Sequence, residues 1–468
     1  MTVPYRFDQT ATAADLHTDY DALEPSAETG VTVSVAGRLM LRREQGKLAF
    51  GTLDDASGRV QLFAGTAWTN EFVGFTKLSL GDWIGATGEV VKTRTGELSV
   101  KVAEWVLLAE TKRQFPDKWH GITDPDTRYR QRYVDTWVTE DVRSTLLARS
   151  KTLSSIRRYL EERGFIEVET PVLHGIAGGG TAKKFSTHFN SLDTDFDLRI
   201  ASELYLKRLV VGGFTKVFEF SRVFRNEGLS PRHNPEFTML ELQEAYADYT
   251  DMMTLFEELI AHVAMEVCGT TQLTYNGRDL DLTPPWRRAT MDELVEEATG
   301  VRVDINSSIE QLRNLASEHG VKIDDGWGPG KLLVEIYEKT SETNLWGPVF
   351  VTDHPKETSP LARDHRERRG YTERFEPIVA GRELGNAFTE LVDPVEQRAT
   401  FEAQARAKAG GDDEAMIVDE DYIRALEYGL PPNGGLGIGI NRLVMLLTDS
   451  QHIRDVLAFP ALRPEVFE

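Results

Sequence analysis

Residues 224–241, FRNEGLSPRHNPEFTMLE, place Arg225, Glu227, Arg232 and His233 in one polar stretch between two strand-like segments. Alternation by two puts Phe237, Glu241 and Gln243 on one face of the second strand. A charged hairpin tip would have a similar composition. Arg225, however, ends an apolar run, where a planar guanidinium at the sheet face can clamp carboxylate or phosphate oxygens in bidentate fashion.

A second group lies in ERFEPIVAGRELGNAFTEL, residues 373–391. With Ala380-Gly381 as a two-residue turn, Glu383 pairs with Ile378 and Glu376 becomes its diagonal neighbour on the same face. Two carboxylates so placed repel unless a cation lies between them, and oxygen ligands suit Mg²⁺ bridging a polyphosphate. Unpaired surface acids are the alternative. In a regular strand Asn386, Phe388 and Glu390 share the opposite face, so one ligand reaches both sets only through a twist or bulge. The third group is GLPPNGGLGIGINRLVMLLT, residues 429–448, where glycines 434, 435, 437 and 439 let a strand approach a flat ligand closely. Arg442 then puts a cation near the start of a helix. The order fits neither a P-loop nor a dinucleotide-binding turn.

These groups need a scaffold, and the flanking patterns suggest an α+β one. From residue 142 onward, LLARSKTLSSIRRYLEERG reads as an amphipathic helix ending near Gly164, followed by strand-like segments joined by hairpins. Hairpins without regular βαβ crossovers favour an antiparallel sheet with flanking helices. Residues 290–345 look helical and insertion-like. Upstream, five short alternating segments between about residues 31 and 109 suggest a small barrel of the oligonucleotide-binding type. The expected organisation is a barrel domain over 1–112, a polar connector over 113–141 carrying Pro116 and Pro125, and a main domain over 142–468.

With 468 residues and 40% hydrophobic content, the chain has ample material for packed cores. A single cysteine, Cys268, excludes a disulfide scaffold and a thiolate metal centre. Neither a signal-like N-terminus nor a membrane-length apolar run is visible, so a cytoplasmic protein without membrane contact is expected. The net charge of −22 argues against bulk affinity for nucleic acid, although it does not determine the local field of one face.

The three segments together resemble the signature motifs of class II aminoacyl-tRNA synthetases, and most closely those of the lysyl enzymes. GFIEVETPVL with Pro171 resembles motif 1, FRNEGLSPRHNPEFTMLE motif 2 and GGLGIGINRLVML motif 3, while RYRQRYVD, ELYLKRLVVGG and the barrel extend the likeness over nearly the whole chain. The resemblance implies an ATP-dependent ligase that makes an aminoacyl-adenylate and passes the acyl group to tRNA. It implies that Arg225 bridges the amino-acid carboxylate and α-phosphate, and that Glu227 contacts adenine. Phe237 stacks on the base and Arg442 covers its other face, reaching the γ-phosphate. His233 lies by the outer phosphates, and Glu376 and Glu383 hold Mg²⁺. Gly179 and Glu203 serve the α-ammonium, and Glu241, Gln243, Asn386, Phe388 and Glu390 form the side-chain pocket. It further implies a homodimer through motif 1, and a barrel in which Phe50 and Gln61, flanked by Arg42 and Glu97, read the central anticodon base.

Some positions depart from the family pattern. Gln243 stands where lysyl enzymes typically have tyrosine, Asn433 where threonine is expected, Asn441 for aspartate and Val392 for asparagine. These leave open a pocket reshaped for a lysine analogue or another amino acid. A protein-modifying relative typically lacks the barrel, and a non-catalytic tRNA binder would have lost Arg225, Glu376, Glu383 and Arg442. Aspartyl and asparaginyl enzymes share the motifs, but paired pocket glutamates suit a cationic side chain.

Overall fold

A computed structural model describes residues 3–113, 121–176, 178–180, 182–409 and 417–465. The chain divides into two compact units, Met1–Thr139 and Glu140–Glu468.

The first unit is a closed five-stranded barrel of β1 (Glu28–Gln45), β2 (Leu48–Asp54), β3 (Arg59–Gly65), β4 (Trp83–Lys92) and β5 (Leu98–Ala109), ordered β1-β2-β3-β5-β4. β4 pairs back onto β1, and the β3–β5 pair is parallel while the others are antiparallel. Alternate residues such as Val35, Leu39, Leu53, Leu62, Ile84 and Val100 fill the interior. Helix α1 (Ala13–Tyr20) precedes the barrel and is fixed by a capping box between Thr12 and Asp15.

Pro116 lies outside the described residues, and the described part of the connector carries helices Pro125–Arg130 and Arg132–Val138. Fully buried Asp135 receives both Arg128 and Arg132 at 3.0 Å, so the polar composition reflects a satisfied internal ion network.

The second unit is built on a nine-stranded sheet. Its path runs Arg287–Thr290, Val349–Pro355, Tyr371–Val379, Gly385–Thr389, Asn433–Gly439, Glu236–Ala245, Lys216–Phe224 and Ile166–Glu167, with Arg382–Glu383 pairing beside Tyr371–Val379. The central pairings are antiparallel and only the two edge pairs are parallel. Helix Tyr249–Cys268 packs under the sheet, bringing Phe256, Leu259, Ile260 and Val263 against Leu240, Leu242, Leu436 and Ile438. That burial turns the odd-numbered residues Phe237, Met239, Glu241 and Gln243 to the open face. Helices Met291–Thr299, Ile309–Glu318 and Pro329–Thr340 occupy the helical interval and have their own apolar cluster. Among the described residues no helix is long and apolar enough to cross a membrane.

Candidate active site

A cavity of about 440 Å³ opens on the face of the sheet away from helix Tyr249–Cys268. Its floor is formed by Gly435, Leu436, Gly437 and Gly439 of the Asn433–Gly439 strand. Gly435 pairs with both Gln243 and Phe388, and Gly437 with both Glu241 and Asn386. The glycines here are a spatial requirement, since a Cβ on Gly435 would fall 1.9 Å from Glu390 Oε1 and 2.5 Å from Gln243 Nε2.

The hairpin between strands Lys216–Phe224 and Glu236–Ala245 supplies one end of the cavity through Arg225, Glu227, His233 and Phe237. Arg225 lies 5.3 Å over the Phe237 ring, and its buried Nε has no hydrogen-bond partner among the described residues. A desolvated donor on a fixed cation is costly unless a ligand anion meets it. Within the loop His233 Nδ1 meets Ser230 Oγ at 2.8 Å, and burial, followed by the Arg442 charge, lowers the imidazole pKa. Arg442, in the first turn of helix Ile440–Leu447, donates to the Glu383 backbone carbonyl at 2.7 Å and to its carboxylate at 3.0 Å.

The second group departs from the regular-strand expectation. Ala380 and Gly381 both have positive φ, +52° and +66°, and Ile378 pairs with Glu383 as the two-residue turn requires. Further along, Phe375 pairs with Ala387. Two residues therefore separate these pairs on one strand and three on the other. The extra residue is a bulge that reverses the alternation. Asn386 and Phe388 thereby join Glu376 and Glu383 on one face, and Glu390 lines the same cavity, instead of all three lying opposite. Arg374 holds the two sets together, donating to Asn386 Oδ1 at 2.8 Å and to Glu376 Oε1 at 2.5 Å. Sequence reasoning missed Arg374, although its alternation with Glu376 was a usable signal.

The opposite end of the cavity contains Gly179, Glu203, Glu241, Gln243 and Glu390. Glu241 is buried, and its Oε2 accepts from Ser202 N–H, Ser202 Oγ and Ser221 Oγ at 2.7–2.9 Å. Burial raises its pKa while these donors oppose the rise. Glu390 receives Gln243 Nε2 at 2.8 Å and forms an ion pair with Lys207. Lys207 is fully buried, also contacts Glu203 Oε1 at 2.6 Å, and lies 5.4 Å from the Phe388 ring centre. The two carboxylates hold its ammonium protonated, whereas burial raises the Glu390 carboxyl against the pull of Lys207. Lys207 is the second missed residue. A lysine four residues after Glu203 within the apolar helix Glu203–Val211 was the available clue.

Residues 124–463 match the family described as "tRNA synthetases class II (D, K and N)". The chain belongs to this family. Residues 33–108 match the OB-fold nucleic acid binding domain, in agreement with the barrel. Similar full-length relatives include proteins named "Lysine--tRNA ligase" from Synechococcus sp. (strain CC9311), 54% identical over 99% of this chain and 96% of the relative. Another of that name, from Parasynechococcus marenigrum (strain WH8102), is 52% identical over 99% and 94%. A third, from Nostoc punctiforme, is 51% identical over 98% and 84%.

Within this class II synthetase the departures at 243 and 433 are in contact, as Asn433 Nδ2 donates to Gln243 Oε1. Asn441 has another role. Its Oδ1 accepts from Arg149 at 3.1 Å, and burial lowers the Arg149 pKa to about 10. Val392 packs beside the cluster around Phe401 and Tyr422 and does not line the cavity.

On the barrel, Phe50 pairs with Phe63 and Thr52 with Gln61, so Phe50, Phe63 and Gln61 share a face. The rings of Phe50 and Phe63 stack at 5.1 Å, 7° from parallel. Ser99 pairs with Gln61, and alternation carries exposed Glu97 to that face. Arg43 is the residue opposite Phe50, whereas Arg42 alternates to the other side and donates to the Leu78 carbonyl at 2.5 Å. A register irregularity between Leu39 and Leu41, not readable from the sequence, precedes this stretch.

Proposed function

We propose that this chain is an ATP-dependent lysine–tRNA ligase. The observation that carries the reading is the charge inventory at the amino-acid end of the cavity. Glu203 and Glu390 share one internal cation, Lys207, while Glu241 in the same cavity is met by the neutral donors of Ser202 and Ser221. Two negative charges are left over, which suits a ligand with two ammonium groups. Its carboxylate would then extend toward the unpaired Arg225 Nε. The names of the full-length relatives support the same substrate.

In the first step a lysine carboxylate oxygen attacks the α-phosphorus of ATP and pyrophosphate leaves. In the second, the terminal-adenosine hydroxyl of tRNA attacks the acyl carbon and AMP leaves. Arg225 spans the carboxylate and α-phosphate, where charge builds in the transition state. Glu227, Phe237 and Arg442 hold the adenine, and His233 lies toward the outer phosphates. Glu376 and Glu383 would hold Mg²⁺, which neutralises polyphosphate charge when bound. The donor set fits that ion. These two carboxylates share one cavity, and burial followed by the charges of Glu338, Glu376 and Glu383 lifts neighbouring Glu342 to about 7, which marks a local excess of negative charge.

A second copy of the chain fits against the motif 1 region. There Ile166, Val172, Leu173 and Ile176 are exposed around Pro171, beside a sheet edge formed by only two residues. A cytoplasmic location accompanies a tRNA-charging role.

Amino-acid-dependent ATP–pyrophosphate exchange across the twenty amino acids and several lysine analogues tests the reading. Lysine is expected to give the highest kcat/KM. A chain that activates an analogue but not lysine at millimolar concentration would overturn it. The barrel has its own expected result. Phe50→Ala removes a stacking face, so tRNA aminoacylation should weaken by about 1–3 kcal/mol while exchange is unaffected. Equal losses in the two assays would make Phe50 a folding residue.

A further inference from the structure

We propose that Asn433 and Gln243 form one positioning unit that aims Glu390 at the side-chain ammonium of the amino acid and so sets selection for lysine. The inference deepens the reading of the cavity as a lysine site and rests on it.

The direction of each hydrogen bond follows from chemistry. A carboxylate only accepts, so the Gln243 group facing Glu390 Oε1 at 2.8 Å is its NH₂. Gln243 therefore presents its carbonyl oxygen to Asn433, which must donate through Nδ2. Gln243 is 2% exposed, Asn433 0% and Glu390 1%, so water does not compete for these bonds. Asn433 is left with a buried Oδ1 that has no hydrogen-bond partner among the described residues. A buried carbonyl left unmatched is unfavourable in itself. Its persistence indicates that the amide is fixed by the donor it supplies to Gln243.

Lys207 meets Glu390 on the other carboxylate oxygen. With Gln243 on one side and Lys207 on the other, the carboxylate plane is set before any ligand arrives. Gly435 leaves the space that the bond between Gln243 and Glu390 occupies, since any Cβ there would overlap both groups. Asn433 does not line the cavity. It acts through Gln243, as a positioning residue.

The test compares Asn433→Thr with Asn433→Val, near-isosteres of which only threonine offers a hydroxyl donor to Gln243. In ATP–pyrophosphate exchange with the full chain, the valine variant should show a lysine KM about tenfold above the threonine variant. Its kcat and its KM for ATP should stay within about twofold of the threonine variant. In a Gln243→Met background the difference between threonine and valine should vanish, because the relay is already cut. Equal lysine KM values in the two variants, or a difference that persists without Gln243, would overturn the proposal while leaving lysine activation intact. A wild-type chain without lysine-dependent exchange would overturn the lysine reading and this inference with it. Should the valine variant fail to fold, Gln243→Met alone must lower the preference for lysine over ornithine by a similar factor, and an unchanged preference overturns the proposal.

Discussion

Arg225→Ala is expected to reduce adenylate formation by two to three orders of magnitude or more, while leaving the fold unchanged. The guanidinium lines the cavity over the Phe237 ring, and its Nε has no hydrogen-bond partner among the described residues. Its removal therefore costs the fold little. In the reaction proposed above it meets the charge that develops as carboxylate and α-phosphate come together, and loss of such a clamp typically costs about 3 kcal/mol or more. At about 1.4 kcal/mol per factor of ten, that is more than a hundredfold. Lysine substitution should not restore activity, because an ammonium cannot reproduce the planar two-pronged contact. Pyrophosphate exchange reports the chemistry and thermal denaturation the fold. Exchange within a few fold of wild type would remove Arg225 from the active site.

Lys207→Met is expected to damage stability most. Lys207 is fully buried between Glu203 and Glu390, so removing its charge leaves Glu390 in a dry site without its counter-ion. Breaking such a buried pair from one side costs about 3–5 kcal/mol. The variant also has a distinctive pH dependence. Burial already raises Glu390, and without Lys207 to oppose it the native pKa rises further above the unfolded value. The native state then binds more protons than the unfolded state, so stability falls as pH rises from about 4.3 toward the raised native pKa. The deficit relative to wild type should be smallest in mild acid and largest above neutrality. Urea denaturation at about pH 5 and about pH 8 checks this. A deficit that does not change with pH would mean that Lys207 contributes through packing alone.

Much of the site was legible because the chemistry and local geometry lie close together in the chain. Strand alternation placed Phe237, Glu241 and Gln243 on one face, and the Ala380-Gly381 turn fixed Glu383 opposite Ile378. Both follow from near-neighbour geometry, which period and turn type specify without distant contacts. The barrel was legible for the same reason, since each of its strands alternates between interior and solvent.

Tertiary structure decided what depends on an inserted residue or on partners far apart in sequence. One bulged residue after Glu383 turned Asn386 and Phe388 into the cavity, and no local composition marks where a ladder slips by one. Register alone placed Arg43 rather than Arg42 opposite Phe50. The departures at 243 and 433 look like two separate changes in the sequence, yet they form one hydrogen-bonded pair across adjacent strands. Lys207 reads as a helix-surface lysine until Glu390, 183 positions further along, is folded against it. The sequence determined which charges are present and which short segments carry them. The fold determined which of those charges meet in a dry pocket, because only long-range packing removes the water that would otherwise screen them.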